Sequence, residues 1–145
     1  MTMPTAVEIA MRLVAATLIG SGIGLDRELR HKPAGLKTHA LVALGAALIT
    51  IVVAGLTDLA HPDISAMSRV IQGIMAGIGF LGGGAILKSN DELVQGLTTA
   101  ASIWLVASLG IACGLGQFAA AIIALVIALL ILVLGNAFEK RILGR

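Results

Sequence analysis

The sequence predicts an all-α, polytopic transmembrane bundle of about five spans, and three observations carry that prediction. Mean hydropathy is +1.02. Apolar residues make up 58% of the chain and charged residues only 12%, against roughly 25% charged in a typical soluble domain. Finally, apolar runs of about 20 residues, the length that crosses the hydrocarbon core as a helix, recur between short polar breaks. So few polar residues cannot clothe a water-facing surface, whereas lipid tails accept an apolar exterior. The chain of 145 residues holds about four to six spans and their loops. Residues 1–145 are therefore read as one transmembrane domain, with no room for a separate soluble module.

The first span is expected from about Val7 to Leu25. It has Glu8 and Arg12 at its start and runs into Gly24-Leu25-Asp26-Arg27-Glu28. That pattern lacks the basic leader and small-x-small cleavage site of a signal peptide, so the helix is expected to be retained. The second span is expected from about His39 to Leu59 and the third from about Val70 to Leu87. The polar break Lys88-Ser89-Asn90-Asp91-Glu92 follows. From Leu93 to Ala137 no residue carries a fixed charge, and that stretch is too long for one span. Gly114-Leu115-Gly116-Gln117 supplies a turn within it. The fourth span is thus expected from Leu97 to Leu115 and the fifth from Phe118 to Leu134.

Charge gives the bundle a direction. Of the ten Lys and Arg residues, eight (Arg27, Arg30, Lys32, Lys37, Lys88, Lys140, Arg141 and Arg145) fall on one side if there are five spans. Only Arg12 and Arg69 fall on the other. Basic residues in short loops mark the cytoplasmic face, so the N-terminus is expected outside and the C-terminus in the cytoplasm. Four spans would split the basic residues between both faces. The pI of about 9.1 and net charge of +2 come from these membrane-edge residues. With no basic face and 3% aromatics, nucleic acid is not an expected partner. Cys113 is the single cysteine, which precludes an internal disulfide and fits a small buried hydrophobe.

Glycines mark the packing. Ala16, Gly20 and Gly24 recur every four residues in the first span, and Gly110 and Gly114 repeat the spacing in the fourth. Small residues so placed let helix backbones approach closely. The third span is denser, with Gly73, Gly77, Gly79, Gly82, Gly83 and Gly84. Two readings stand side by side: tight packing on neighbouring helices, or a broken helix whose freed backbone groups line a cavity. Gly77-Ile-Gly79-Phe-Leu-Gly82 also matches G-x-G-x-x-G, but no strand precedes it and no acid lies about 20 residues on, so it is not read as a dinucleotide site.

The segment from Asp26 to His39 is the most unusual polar stretch. Asp26, Arg27, Glu28, Lys32, Lys37 and His39 form the candidate charged site. One reading is a positive-inside anchor. The other is an ordered mouth for an ion, a lipid head group or a partner, since anchoring needs no acids and Pro33 and Gly35 would fix the loop. Magnesium takes oxygen ligands, often one or two carboxylates with waters, so Asp26 and Glu28 are the first candidate ligands, followed by Asp91 and Glu92. Asp58 and Asp63 lie on the opposite side. No carboxylate falls mid-span, where ion pathways usually place one. Thr98, Thr99 and Ser102 open the fourth span, and their hydroxyls are expected to cap the helix or bond a neighbouring one. Trp104 is expected in the core and His61 in a solvated loop. No serine–base, zinc or metalloprotease spacing supports an enzyme.

Four blocks resemble the MgtC/SapB family of bacterial membrane proteins. They are Gly22-Ile-Gly24-Leu-Asp26-Arg27-Glu28, Lys32-Pro-Ala-Gly-Leu-Lys-Thr-His39, Gly77-Ile-Gly79-Phe-Leu-Gly82-Gly83-Gly84-Ala-Ile86 and Gly96-Leu-Thr98-Thr99-Ala-Ala-Ser102-Ile-Trp104. Asp26 stands where many members have Glu, and Gly83 where many have Ala. Longer members carry a soluble cytoplasmic domain after the last span; the sequence stops at Arg145, so no role of that domain is carried over. The resemblance implies a multi-pass protein of the bacterial inner membrane. Members are linked to growth under magnesium limitation and, in pathogens, to survival inside host cells. Regulation of other membrane proteins, an ATP synthase or a transporter among them, is the expected role. A small magnesium or other cation transporter or channel is the alternative. Magnesium is the only cofactor in view, and a homodimer is one expected assembly.

Overall fold

The computed structural model describes residues 4–56, 64–88 and 94–142. Its helices are α1 (Ala6–Leu29), α2 (Leu36–Leu56), α3 (Ile64–Ala85), α4 (Leu97–Gly114) and α5 (Phe118–Ile142), and all five are long and apolar enough to cross a membrane. Two-residue strands β1 (Leu87–Lys88) and β2 (Val94–Gln95) pair antiparallel between α3 and α4. Asp58, His61, Asp63, Asp91 and Glu92 lie outside the described residues.

Local signals set the helix ends. Thr5 opens α1 with a capping box: its hydroxyl accepts from Glu8 N at 3.2 Å, and the Glu8 carboxylate accepts from Thr5 N at 2.7 Å, satisfying two amides that helix geometry leaves orphaned. At the far end, α1 runs one turn beyond the expected Leu25. Asp26, Arg27 and Glu28 are therefore helical, and Arg27 is the basic residue of the last turn, where a cation faces the negative end of the helix dipole. The fourth helix stops at Gly116, whose φ of +76° suits glycine. Arg12 reaches across from α1 and donates to Gly114 O at 2.8 Å, so a guanidinium covers the carbonyl end of α4.

The glycine spacings of α1 and α4 do what they predict, and both act on α2. A Cβ on Gly20 would lie 2.6 Å from His39 O and 2.8 Å from Ala43 Cβ; one on Gly24 would lie 2.7 Å from Leu36 Cα. From the other side, a Cβ on Gly110 would run into Ala43 O, and one on Gly114 would lie 2.8 Å from Ala47 O. Ala43 is thus gripped between glycines of two helices, and it is fully buried together with Ala16, Ala47 and Val106. Inside a bilayer no aqueous hydrophobic effect joins helices, so this close van der Waals fit is the main adhesive. Helix α5 closes the bundle against α1 and α4 through Ala121 and Ala128.

The third helix differs from both expectations. It is continuous, so the broken-helix reading falls. None of its glycines is tightly packed: a Cβ added at Gly82 would lie in ordinary contact 3.5 Å from Ala100 Cβ, and Gly73, Gly77, Gly79, Gly83 and Gly84 face open space. The cause lies in the neighbouring positions: Ile71, Ile74, Met75 and Ile78 pack on Ala46, Ala107 and Ile111 of α2 and α4, turning the glycine side outward. Trp104 also departs from expectation. It is half exposed, because α4 presents Ile103, Val106, Ala107 and Gly110 to the interior instead.

These contacts predict opposite outcomes for equivalent substitutions. Gly110→Ala drives a methyl into the α2 backbone and should destabilise the fold by about 1–3 kcal/mol, seen as a lower Tm in detergent. Gly77→Ala meets nothing within 4 Å and should leave the Tm unchanged.

Candidate functional site

Among the described residues, the buried polar side chains other than Thr50 gather in one cluster. The inward stripe of α1 (Ala16, Gly20, Gly24) continues one turn on to Arg27, which is only 2% exposed. Its Nη2 donates to the Thr99 hydroxyl of α4 in a short bond. Nε of Arg27 is buried with no hydrogen-bond partner. Among the described residues no carboxylate pairs with this guanidinium; Asp26 beside it pairs instead with Arg30, Oδ1 to Nε at 2.8 Å.

His39 completes the cluster from α2 and is fully buried. Its Nδ1 lies 2.9 Å from Gly35 O and its Nε2 lies 3.0 Å from Ser102 Oγ. A carbonyl only accepts, so Nδ1 carries a proton. Ser102 Oγ is also 2.8 Å from Thr99 O, yet it has one proton to give. If that proton goes to His39, the imidazole is neutral. If it goes to Thr99 O, Nε2 must donate as well and the ring is an imidazolium. The serine hydroxyl is thus tied to the charge state of His39. Arg27, Thr99, Ser102 and His39 bind three helices together at the end that carries the α1–α2 loop.

The remaining charged residues take other parts. Glu28 is exposed and accepts from Leu36 N at 2.7 Å, placing a carboxylate at the positive start of α2. A Cβ on Gly35 would collide with that carboxylate, so any larger residue there would displace Glu28 from the start of α2. Lys32 in the α1–α2 loop and Lys37 in the first turn of α2 are exposed. Asp26 and Glu28 thus bond different groups, Arg30 and Leu36 N, and the described residues contain no cluster of three His, Cys, Asp or Glu. The hydroxyl triplet divides: Thr99 and Ser102 are buried, while Thr98 is exposed. None caps α4, because its N-cap is Gly96 at φ +89° with no side-chain bond.

The expectation of an ordered charged mouth around Arg27 and His39 did not include their burial. A signal was available. Arg27 follows Gly24 by three residues and so falls on the same helical stripe that already faced α2.

Comparison with known proteins agrees with this architecture. The family model described as MgtC family matches residues 13–141. This chain belongs to the MgtC family. Protein SrpB of Synechococcus elongatus is 45% identical over 75% of this chain and 65% of its own. Protein MgtC of Salmonella typhimurium is 42% identical over 91% of this chain and 54% of its own. YhiD of Escherichia coli K12, provisionally named a magnesium transporter, is 37% identical over 95% of this chain and 65% of its own. The match thus spans about half to two thirds of these relatives. No solved structure matches. The MgtC family chain is a multi-pass membrane protein.

Thr99→Val removes the partner of a buried guanidinium and should cost about 1–3 kcal/mol, whereas Thr98→Val at the exposed neighbour should cost nothing measurable. Thermal unfolding of the two variants in one detergent separates them.

Proposed function

We propose that this MgtC family chain is a non-enzymatic regulator in the bacterial inner membrane, acting on other membrane proteins when magnesium is limiting. The observation that carries the reading is the character of the polar interior. Its buried charge is the guanidinium of Arg27, set among His39 and two hydroxyls. A fixed positive charge repels a divalent cation, and the nearest carboxylate, Asp26, already gives one of its oxygens to Arg30. The outward glycine side of α3 supports contact with partner helices, because small residues let a second helix approach closely. An ATP synthase, a transporter or a second copy of this chain are the partners this reading admits. The basic residues around the α1–α2 loop favour the cytoplasm for that end, with the N-terminus outside.

The name given to YhiD favours the second reading, a small magnesium or other cation transporter. The two part experimentally. Under the regulatory reading, proteoliposomes holding only this protein show no magnesium flux above empty vesicles; substantial flux would sink it. Gly77→Leu, at a position with open space, should reach the membrane at normal levels yet lose complementation of growth at low magnesium. Asp26→Asn, which weakens the pair with Arg30, should likewise impair complementation more than it lowers Tm. Normal growth of both variants would count against the assigned surfaces.

A further inference from the structure

We propose that Arg27 is the seat of a binding site for the phosphate of an anionic lipid head group, phosphatidylglycerol in particular. Arg cannot shed its charge inside a protein, and burying an ion without a counter-ion costs several kcal/mol. The fold nonetheless buries Arg27 to 2% exposure, gives it a neutral hydroxyl as partner and leaves its Nε unpartnered. The adjacent carboxylate forms no hydrogen bond with it: Asp26 pairs with Arg30 through Oδ1, its buried Oδ2 has no partner, and it attracts the guanidinium only through space. A charged group within a transmembrane bundle marks a functional site whose partner should be named, and the missing partner here is an oxyanion.

Three features narrow that oxyanion to a lipid phosphate. The Arg27 fork matches phosphate geometry, with Thr99 beside it as a hydroxyl able both to accept and to donate. Arg27 sits two residues before the end of α1 at Leu29, the depth at which a spanning helix meets the head groups. Around it the same loop end exposes Lys32 and Lys37, with Arg30 partly exposed. A basic pocket between transmembrane helices with a rim of lysines is the arrangement that takes anionic head groups. Entry requires the Arg30–Gly35 turn to yield or the long Arg27 stem to swing toward the interface, as arginines at helix ends do.

The test uses the full chain, purified in detergent, with lipid retention followed by native mass spectrometry at high salt to screen the surface lysines. Phosphatidylglycerol should be retained saturably and in preference to zwitterionic phosphatidylcholine. Arg27→Gln should weaken retention about tenfold, and Thr99→Val severalfold. Arg27→Lys keeps charge but not the fork and should fall between; it also carries the test should Arg27→Gln fail to fold. Lys32→Gln with Lys37→Gln should change retention little at high salt. Equal binding of both lipids, or phosphatidylglycerol retention unaffected by the Arg27 and Thr99 variants, overturns the site. A separate arm measures the Tm rise with inorganic phosphate. Protection by phosphate that Arg27→Lys abolishes, without retention of phosphatidylglycerol, assigns the site to a free anion and overturns the lipid as its occupant.

Discussion

The grip of two glycine helices on α2 is the constraint from which the rest of the structure follows. Gly20 and Gly110 approach Ala43 from opposite sides so closely that neither position has room for a Cβ. Such contact fixes the rotation and depth of α1, α2 and α4 together, because a shift along any axis would set a side chain against a backbone. The gain is dispersion and interhelical bonding, since lipid supplies no hydrophobic drive between helices. Once the three axes are this near, the remaining inward positions of each helix are forced into one another's company. Arg27, His39, Thr99 and Ser102 meet for that reason.

The polar cluster is in turn a consequence with its own cost. Hydroxyls and an imidazole satisfy one another in a dry interior through Gly35 O and Thr99 O. A guanidinium does not fit so readily, because a single hydroxyl neither neutralises its charge nor uses its five donors. The surrounding loop is built to make this end rigid rather than to relieve Arg27. Glu28 holds the start of α2, Gly35 makes room for that carboxylate, and Asp26 pairs with Arg30. Each acid in the segment thus has a hydrogen-bonded partner other than Arg27, whose guanidinium feels Asp26 only through space.

How much of this was legible in the sequence depends on the kind of signal. Spans and their number follow from hydropathy, which acts residue by residue and survives without tertiary knowledge. The small-residue spacing in α1 and α4 is equally local, and it named the faces that meet. What the sequence could not supply is which of two adjacent polar residues turns inward. Thr98 and Thr99 are chemically the same, yet one is exposed and the other buried against Arg27; a rotation of about 100° per residue separates them. The third span misled because glycine density is ambiguous. It signals close approach only if something approaches, and in α3 the isoleucines, not the glycines, face the bundle. Trp104 misled for the complementary reason, since helices that touch at glycine leave no volume inside for an indole.

These packing differences divide the molecule into a firm part and a more exposed one. Helices α1, α2 and α4 share backbone-to-backbone contacts and the buried polar cluster, while α3 rests on them through ordinary side-chain contact and buries Gly82 alone. One turn of α4 belongs to both parts: Thr99 and Ser102 face the cluster, and Ala100 between them meets Gly82. Any rearrangement that follows a change of partner at Arg27 must therefore move, or be resisted by, the same turn against which α3 is seated. A glycine at position 82 makes that seat shallow, with room for an ordinary van der Waals contact and little interlocking. The buried Gly82 of α3 and the charged end of the bundle are thus linked through a single turn of α4, with Ala100 as the residue between them.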